Sequence, residues 1–368
     1  MTTMPNTSDL RLLFIYKNHR NDHCLQALKR WLPRMGINTY LFQFAHSERR
    51  RGDTPENRQI SPRLAQAVAQ FKPTHVLTWV WYINPEEVAW LKAQNIRVGA
   101  AISGVASFHN GFVDDQAEVM AMFRTLDYYF VPHAPHVPIL RSLGVNAYEM
   151  PFFYDPDVYK PLPRWQRLWD MRREEAIFIG NFGSYGAVQR EHREGAVKAL
   201  AQVMTVRLIS DHPLNVPQTR WNRPIKLHPV LNWLTNRSRF ALCFDYMPEL
   251  QTYQVPDSPI AQTPIVQTPM AQTNTTDSKL FFVRNRQVAM MAAGVAVMVE
   301  RHPEIQRLFE DGREIILWDN VEEAQARARD YLANPAKLRA VAEAGYRSVA
   351  AQHTVQQRIQ QMTAIMQQ

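Results

Sequence analysis

The chain has 368 residues, of which 46% are hydrophobic and 21% are charged. This length exceeds one ordinary domain and this composition excludes global disorder, so two domains with their own cores are expected. The net charge is +8, and the first hundred residues hold 14 Lys/Arg against 7 Asp/Glu. Such a basic surface favours an anionic partner (a membrane surface, nucleic acid or substrate phosphates), or it is simply a solvated face.

The number of cysteines and the length of the apolar runs bear on where in the cell the protein is found. Cys24 and Cys243 are the only two cysteines and lie far apart, which excludes a disulfide framework and favours a reducing environment. The first nine residues are polar, and the longest apolar run, 288–299, is shorter than the roughly 20 residues that cross a bilayer. We therefore expect a soluble, cytoplasmic protein, with peripheral contact to a membrane left open.

In the first half, apolar strands alternate with amphipathic helices, which predicts an α/β fold with a parallel sheet and right-handed crossovers. The predicted strands are 12–16, 37–44, 74–81, 97–102 and 128–131. The predicted helices are 24–32, 62–71, 85–94, 118–126 and 138–143. No G-x-G-x-x-G follows the first strand, so the dinucleotide-binding fingerprint is absent. Parallel sheets of this kind bind ligands at the carboxyl ends of their strands. Three histidines in the loops there, His109, His133 and His136, could act as a general base near neutral pH. Our candidate for this role is His109.

The second half, from about residue 174, repeats the alternation. The predicted strands are 176–179, 206–210, 240–245, 295–299 and 315–318. The predicted helices include 228–236, 279–293, 321–332, 335–350 and a last helix that ends near Met366.

A candidate phosphate site follows the strand 176–179. The turn contains Gly180, Asn181 and Gly183, and the helix after it carries Arg190 and Arg193. Backbone N–H groups at a strand–helix turn bind phosphate, and a nearby arginine can bind a diphosphate. We therefore predict an anion site at this turn.

Three tandem pentads of the form Pro-x-x-Gln-Thr occupy residues 259–273, and no charge lies between Asp257 and Asp277. A proline every five residues excludes a helix or a central strand. We predict a flexible insertion over 250–278, either a lid or a tolerated surface expansion.

The last ninety residues resemble the C-terminal domain of GT-B glycosyltransferases of the family 4 type, in the spore-maturation-protein-like branch. That branch reads roughly R-x-F-E-x-x-A-x-G, a strand, a P-E-L-like loop, F-x-x-G-x-E, a D-x-x-E-L helix, A-x-x-G and H-T-x-x-x-R. The matching residues here are Arg286, Gly294, Pro303-Glu304-Ile305, Phe309, Gly312, Glu314, Gly345, His353-Thr354 and Arg358.

The segment between the two halves also resembles this family. Pro151, Asp155, Tyr159 and Pro161 are similar in spacing to the interdomain element of GT-B enzymes. Asp155 and Asp157 also form a D-x-D pair, which binds a divalent metal in glycosyltransferases of the other large fold. We favour a turn at Asp155 over a metal site.

The resemblance implies the GT-B architecture, with two Rossmann-like parallel-sheet domains facing a cleft. The expected parts are an acceptor domain (1–155), a linker (156–173), a nucleotide-sugar domain (174–350) and a C-terminal helix (351–368) that crosses back. The implied reaction transfers a hexose-type sugar from a nucleotide diphosphate sugar to an acceptor hydroxyl on a glycan, lipid or protein. The resemblance implies no metal and no other cofactor.

The implied donor site contains the turn at Gly180, Asn181 and Gly183 with Arg190, Arg193, Arg286, Gly294, Glu300 and Glu304, while His109 takes the acceptor proton. One position departs from the family, because Ala289 stands where a glutamate binds the donor ribose. Either Glu300, Glu304 or Gln287 replaces it, or the protein is a non-catalytic relative that binds a sugar nucleotide or glycan. A third class of function, nucleic-acid binding, is supported only by the net positive charge. We therefore expect no nucleic-acid partner.

Overall fold

The computed structural model describes residues 9–16, 22–44, 59–79, 83–101, 116–163, 174–182, 187–225, 227–245 and 283–368. These residues form two compact units. The first contains the described residues up to Phe152 together with Val355–Gln368, and the second contains those from Phe153 to Thr354. The division after Phe152 differs slightly from the boundary predicted at residue 155. The predicted insertion 250–278, including the repeats, lies wholly outside the described residues.

The first unit is built on a six-stranded, fully parallel sheet. Its strands are β1 (Arg11–Tyr16), β2 (Asn38–Gln43), β3 (His75–Trp79), β4 (Arg97–Ala101), β5 (Tyr128–Val131) and β6 (Ala147–Glu149). Its helices are α1 (His23–Arg34), α2 (Pro62–Phe71), α3 (Pro85–Lys92), α4 (Gln116–Thr125) and α5 (His136–Ser142). The strand order is β2-β1-β3-β4-β5-β6. This order places β1 inside the sheet, which explains why five of its six side chains are buried.

Short polar side chains fix where the helices of this unit begin. The Asp22 carboxylate accepts the Leu25 N–H at 3.1 Å and the Trp79 indole N–H at 2.7 Å, so one residue caps α1 and ties it to β3. Asn84 and Glu87 form a reciprocal capping box at α3. Such caps satisfy backbone N–H groups that a helix leaves without partners.

The second unit repeats the design. Its strands are β7 (Glu174–Ile179), β8 (Val206–Ile209), β9 (Thr219–Asn222), β10 (Ser238–Leu242), β11 (Ala296–Glu300) and β12 (Ile316–Trp318). Its helices are α6 (Ala187–Leu200), α7 (His228–Asn236), α8 (Asn285–Ala292), α9 (Pro303–Leu308), α10 (Val321–Ala333) and α11 (Pro335–Gln352). The strand order is β12-β11-β10-β7-β8-β9, and every pair is parallel.

The last helix, α12 (Val355–Met366), belongs to the first unit. Its final carbonyl, on Met366, accepts hydrogen bonds from Arg97 Nη1 at 2.7 Å and from His75 Nε2 at 2.9 Å. Near its start, Arg358 Nε donates to the carbonyl of Pro151 at 2.9 Å. These hydrogen bonds attach α12 to strands β3 and β4 of the first sheet. No helix among the described residues is long and apolar enough to cross a membrane.

Asp155 lies at the start of the second unit, where it forms the predicted turn. Its side chain is buried and its Oδ1 accepts the Asp157 N–H at 2.9 Å. The neighbouring Tyr154 donates its N–H to the carbonyl of His353 at 3.0 Å. Within the described residues there is no group of three or more His, Cys, Asp or Glu side chains placed to hold a metal ion.

Candidate functional site

Polar residues gather at the carboxyl ends of three neighbouring strands of the second unit. Gly180 follows β7 directly, Asp245 follows β10 by three residues, and Glu300 is the last residue of β11. The three strands lie side by side in the order β11-β10-β7. The carboxyl edge of a parallel sheet is where such folds bind ligands, so this cluster is the candidate site.

Gly180 and Arg286 form the cationic part of the site. The Gly180 N–H donates to the carbonyl of Ile209 at 3.0 Å and so extends the sheet. A Cβ on Gly180 would lie 2.5 Å from Arg286 Nη1, so the guanidinium rests directly on this glycine. Arg286 is half-buried in the first turn of α8. A glycine is therefore needed for the close approach of this cation to the turn.

Side chains also hold the rest of the turn. Arg193 is 4% exposed, and its Nη1 donates to the carbonyl of Asn181 at 2.6 Å. The Phe182 N–H donates to Asp211 Oδ1 at 3.0 Å. Arg193 thus positions the predicted phosphate turn, whereas Gly183 lies outside the described residues.

Arg190 takes part in an ion-pair cluster on α6. Its Nε donates to Glu194 Oε1 at 2.8 Å, and Glu194 also accepts from His212 at 2.9 Å and from Lys198 at 3.3 Å. Burial acts to raise the pKa of Glu194, but the hydrogen bonds from Arg190, His212 and Lys198 outweigh it and lower that pKa to about 2. Contact of Arg190 with a phosphate stays a prediction.

A buried acidic pair occupies the β10 and β11 ends. Glu300 is 3% exposed; its Oε1 lies 2.5 Å from His192 Nε2, and its Oε2 accepts the Asp245 N–H. This places a half-buried imidazole of α6 beside the candidate site. The Glu300 carboxylate is thereby fixed between one helix and one strand end.

Asp245 is completely buried and is the centre of the cluster. Its Oδ2 accepts from His302 Nε2 at 3.0 Å and from the Gln287 amide, whose own oxygen accepts the Arg284 N–H at 2.5 Å. Its Oδ1 has no hydrogen-bond partner among the described residues. Burial raises the pKa of Asp245, and the hydrogen bond from His302 opposes that rise.

His302 also forms the cap of α9. Its Nδ1 accepts the Ile305 N–H at 3.4 Å, so the ring proton resides on Nε2 and is donated to Asp245. The next glutamate, Glu304, accepts the Val283 N–H at 3.5 Å through Oε2.

Three residues of this cluster, His192, Asp245 and His302, were not predicted from the sequence. A usable signal existed, because Asp245 and His302 each follow a buried strand within three residues.

Ala289, which replaces the family's ribose-binding glutamate, and Gly294, of the predicted donor site, have packing roles. Ala289 is 3% exposed and lies in α8, where every side chain from Gln287 to Ala292 is buried. Gly294 follows α8 with a φ of +75°, and a Cβ there would lie 3.1 Å from Pro161 Cγ. The positive φ explains the glycine without a ligand, so its contact with a donor stays a prediction.

The structure brings together Gly180, Asn181, Arg193 and Arg286 on one side and Glu300 with Gln287 on the other. His109 lies outside the described residues. His133 and His136 are 1% and 4% exposed, with ring centroids 5.3 Å apart, so neither is an open general base in this structure. Burial raises the pKa of the Cys243 thiol to about 12, which disfavours the reactive thiolate form at neutral pH.

Comparisons with known proteins identify the fold and, for part of the chain, a family. Residues 193–364 match the family described as Glycosyl transferase-like. No curated protein matches the chain. Among solved structures, sucrose-phosphate synthase from Thermosynechococcus elongatus has a TM-score of 0.61 at 14% identity, covering 97% of this chain and 98% of that one.

Two more solved structures show the same fold. Anabaena HepE in complex with UDP and glucose has a TM-score of 0.60 at 11% identity, covering 97% of this chain and 99% of that one. A glycosyltransferase from Rickettsia africae has a TM-score of 0.59 at 9% identity, covering 97% and 98%. The spore-maturation-like branch stays a prediction. The chain therefore has the GT-B architecture of two Rossmann-like domains, and its residues 193–364 match a glycosyl transferase-like family.

Proposed function

We propose that the protein transfers a sugar from a nucleoside diphosphate sugar to an acceptor hydroxyl, with the donor bound by the second unit. The observation that carries this is the Arg286 guanidinium on the Gly180 turn, at the carboxyl edge of the sheet. A cation at a strand end is suited to a diphosphate, because it meets the negative charge that grows on the leaving group.

The donor that deserves the first trial is a UDP-sugar. HepE, which shares the fold, has been solved with UDP and with UDP-glucose. In the proposed reaction the acceptor oxygen forms a bond to the anomeric carbon as the bond from that carbon to the diphosphate oxygen breaks. The nucleoside diphosphate leaves with its charge facing Arg286, and the acceptor proton passes to a base, for which His109 is the candidate.

We propose further that no metal takes part. Asp155, the leading residue of the D-x-D pair, uses its Oδ1 to close a turn, which supports a structural role for that pair. The proposed cations, Arg286 with Arg190 in support, take the place that a divalent ion would have. The acceptor, whether a glycan, a lipid or a protein, binds the first unit in this proposal.

Ala289 motivates a second candidate, a relative that binds a sugar nucleotide without turnover. The side chain at this position is buried and apolar, so it offers the ribose no acceptor. Under the first candidate, Glu300 or Glu304 would receive the ribose hydroxyls instead. Both are buried carboxylates near the strand ends.

A two-stage experiment separates the two candidates. A thermal-shift screen with UDP-, GDP-, ADP- and dTDP-sugars identifies the donor, because a ligand of the native state raises the melting temperature. Release of nucleoside diphosphate from that donor is then measured with mixed acceptors. A shift with release supports the enzyme, a shift without release supports the binding relative, and no shift with any donor contradicts both.

A further inference from the structure

One face of α7 is apolar and exposed to solvent. Leu227, the residue before the helix, is 65% exposed, and Val230 and Trp233 on the helix are 38% and 47% exposed. They follow one another at intervals of three residues, which places them along one side of a helix. Of the five large apolar side chains that are exposed in the described part of the chain, three are these. We call these three residues the α7 face.

The opposite side of α7 is fixed to the body of the second unit. Leu231 and Leu234 are buried, and the Asn232 and Asn236 side chains accept the backbone N–H groups of Lys160 at 3.3 Å and Leu162 at 2.9 Å. These contacts prevent the helix from turning its apolar side inward. The α7 face is therefore held outward as a stable feature of the fold.

The stretch of sequence that contains the α7 face is rich in basic residues. Between Asp211 and Asp245 the sequence has five basic residues and no acidic one: Arg220, Arg223, Lys226, Arg237 and Arg239. The guanidinium of Arg237 lies 4.7 Å from the centroid of the Trp233 ring. Arg220 and Arg223 are exposed. The positive charge thus lies in the same stretch of chain as the exposed tryptophan.

We propose that the α7 face docks on an anionic lipid surface. Exposed Leu and Trp side chains enter the boundary between headgroups and acyl chains, where tryptophan is favoured. Each Arg or Lys near such a surface adds attraction to the acidic headgroups. The α7 face supplies the apolar side chains, and Arg237 beside Trp233 supplies positive charge.

Charge argues against the other occupants. A second copy that met this face across a two-fold axis would bring the Arg237 guanidinium, which lies over Trp233, close to the same cation of the other copy. Nucleic acid would use the arginines but gains nothing from Leu227 and Val230, which cannot read or stack on a base. An anionic lipid surface uses both the cations and the aliphatic side chains.

The test is flotation of the full-length protein with vesicles. Wild-type protein is mixed with vesicles of phosphatidylcholine alone, or of phosphatidylcholine with an equal part of phosphatidylglycerol, at about 0.1 M and 0.5 M salt. We expect flotation with the anionic vesicles only, and less of it at the higher salt. The double variant Leu227→Ser/Trp233→Ser should bind at least about tenfold less. Tyr40→Ser, which removes an exposed ring of the first unit (42% exposed), is the matched control and should bind as wild type.

Melting temperature and nucleotide-sugar binding of each variant are measured beside flotation. Nucleotide-sugar binding should equal that of wild type, because none of the altered residues belongs to the candidate site. Failure of the wild type to float with anionic vesicles would overturn the proposal, as would equal flotation of the double variant. A wild-type dimer in solution that the double variant converts to monomer would assign the face to a second copy instead. Salt-sensitive binding of single-stranded RNA without vesicle binding would assign the cations to nucleic acid.

Discussion

Arg286 Nη1 lies 2.5 Å from the position that a Cβ on Gly180 would occupy. A methyl group at position 180 therefore requires the guanidinium to move from its present place. We predict that Gly180→Ala weakens donor binding by about tenfold or more, equivalent to roughly 1.4 kcal/mol, measured by titration calorimetry with the donor found in the screen. Equal affinity in this variant would mean that Arg286 does not act from its place on Gly180.

Gly195 provides the matched control for that substitution. It is exposed in the middle of α6, and a Cβ there would meet nothing within 4 Å. Gly195→Ala should leave donor binding unchanged and stabilise the protein by roughly 0.5–1 kcal/mol, because alanine loses less backbone entropy in a helix. A loss of binding in this variant as well would show that changes in α6, not the Gly180 turn, disturb the site.

The buried cluster around Asp245 predicts an asymmetry between two substitutions. His302→Ala removes a donor from a completely buried carboxylate and should lower the free energy of unfolding by about 3 kcal/mol. Asp245→Asn keeps an oxygen acceptor for His302 and Gln287 and removes the buried charge, so its cost should be nearer 1 kcal/mol. Urea unfolding at pH 7 measures both, and the reverse order would contradict an ionised Asp245.

Glu194 predicts a pH dependence of stability. Its pKa in the folded protein is about 2, below the ordinary value of 4.5. A lowered carboxyl pKa contributes stability above the unfolded pKa, and this contribution is lost as the pH falls from about 4.5 towards 2. The stability advantage of wild type over Glu194→Gln should therefore shrink between pH 6 and pH 3 in urea titrations. An advantage that stays constant with pH would exclude this ionisation as its source.

Metal removal tests the proposal that cations of the chain replace a divalent ion. Donor binding and turnover after extensive EDTA treatment should equal those of untreated protein. Loss on chelation, with recovery on adding Mg²⁺ or Mn²⁺, would require a metal site and a new role for Asp155 and Asp157.

Much of the fold could be predicted from the sequence, because buried parallel strands leave uninterrupted apolar runs. Helices 62–71 and 228–236 and strand 128–131 were located to the residue. The two missed strands, β6 and β9, each lie at the edge of a sheet. In β9, the sequence Thr-Arg-Trp-Asn buries little, so no hydrophobic period marks it.

The site was less accessible to sequence reasoning. Glycine and arginine after β7 indicate a phosphate turn, but the sequence does not say that Arg193 binds the turn's own carbonyl while Arg286, about a hundred residues later, lies on Gly180. Likewise, Asp245, His302 and Gln287 come from three separate segments. Only the order of the strands in the sheet makes them neighbours.

The central claim is that Arg286 binds the diphosphate of a nucleotide-sugar donor, and titration calorimetry of two arginine variants tests it most directly. Arg286→Ala should bind the donor at least about tenfold more weakly than wild type with an unchanged fold by circular dichroism. Arg190→Ala, whose side chain is 53% exposed and paired with Glu194, should lose less. Equal donor affinity in wild type and Arg286→Ala would contradict the account.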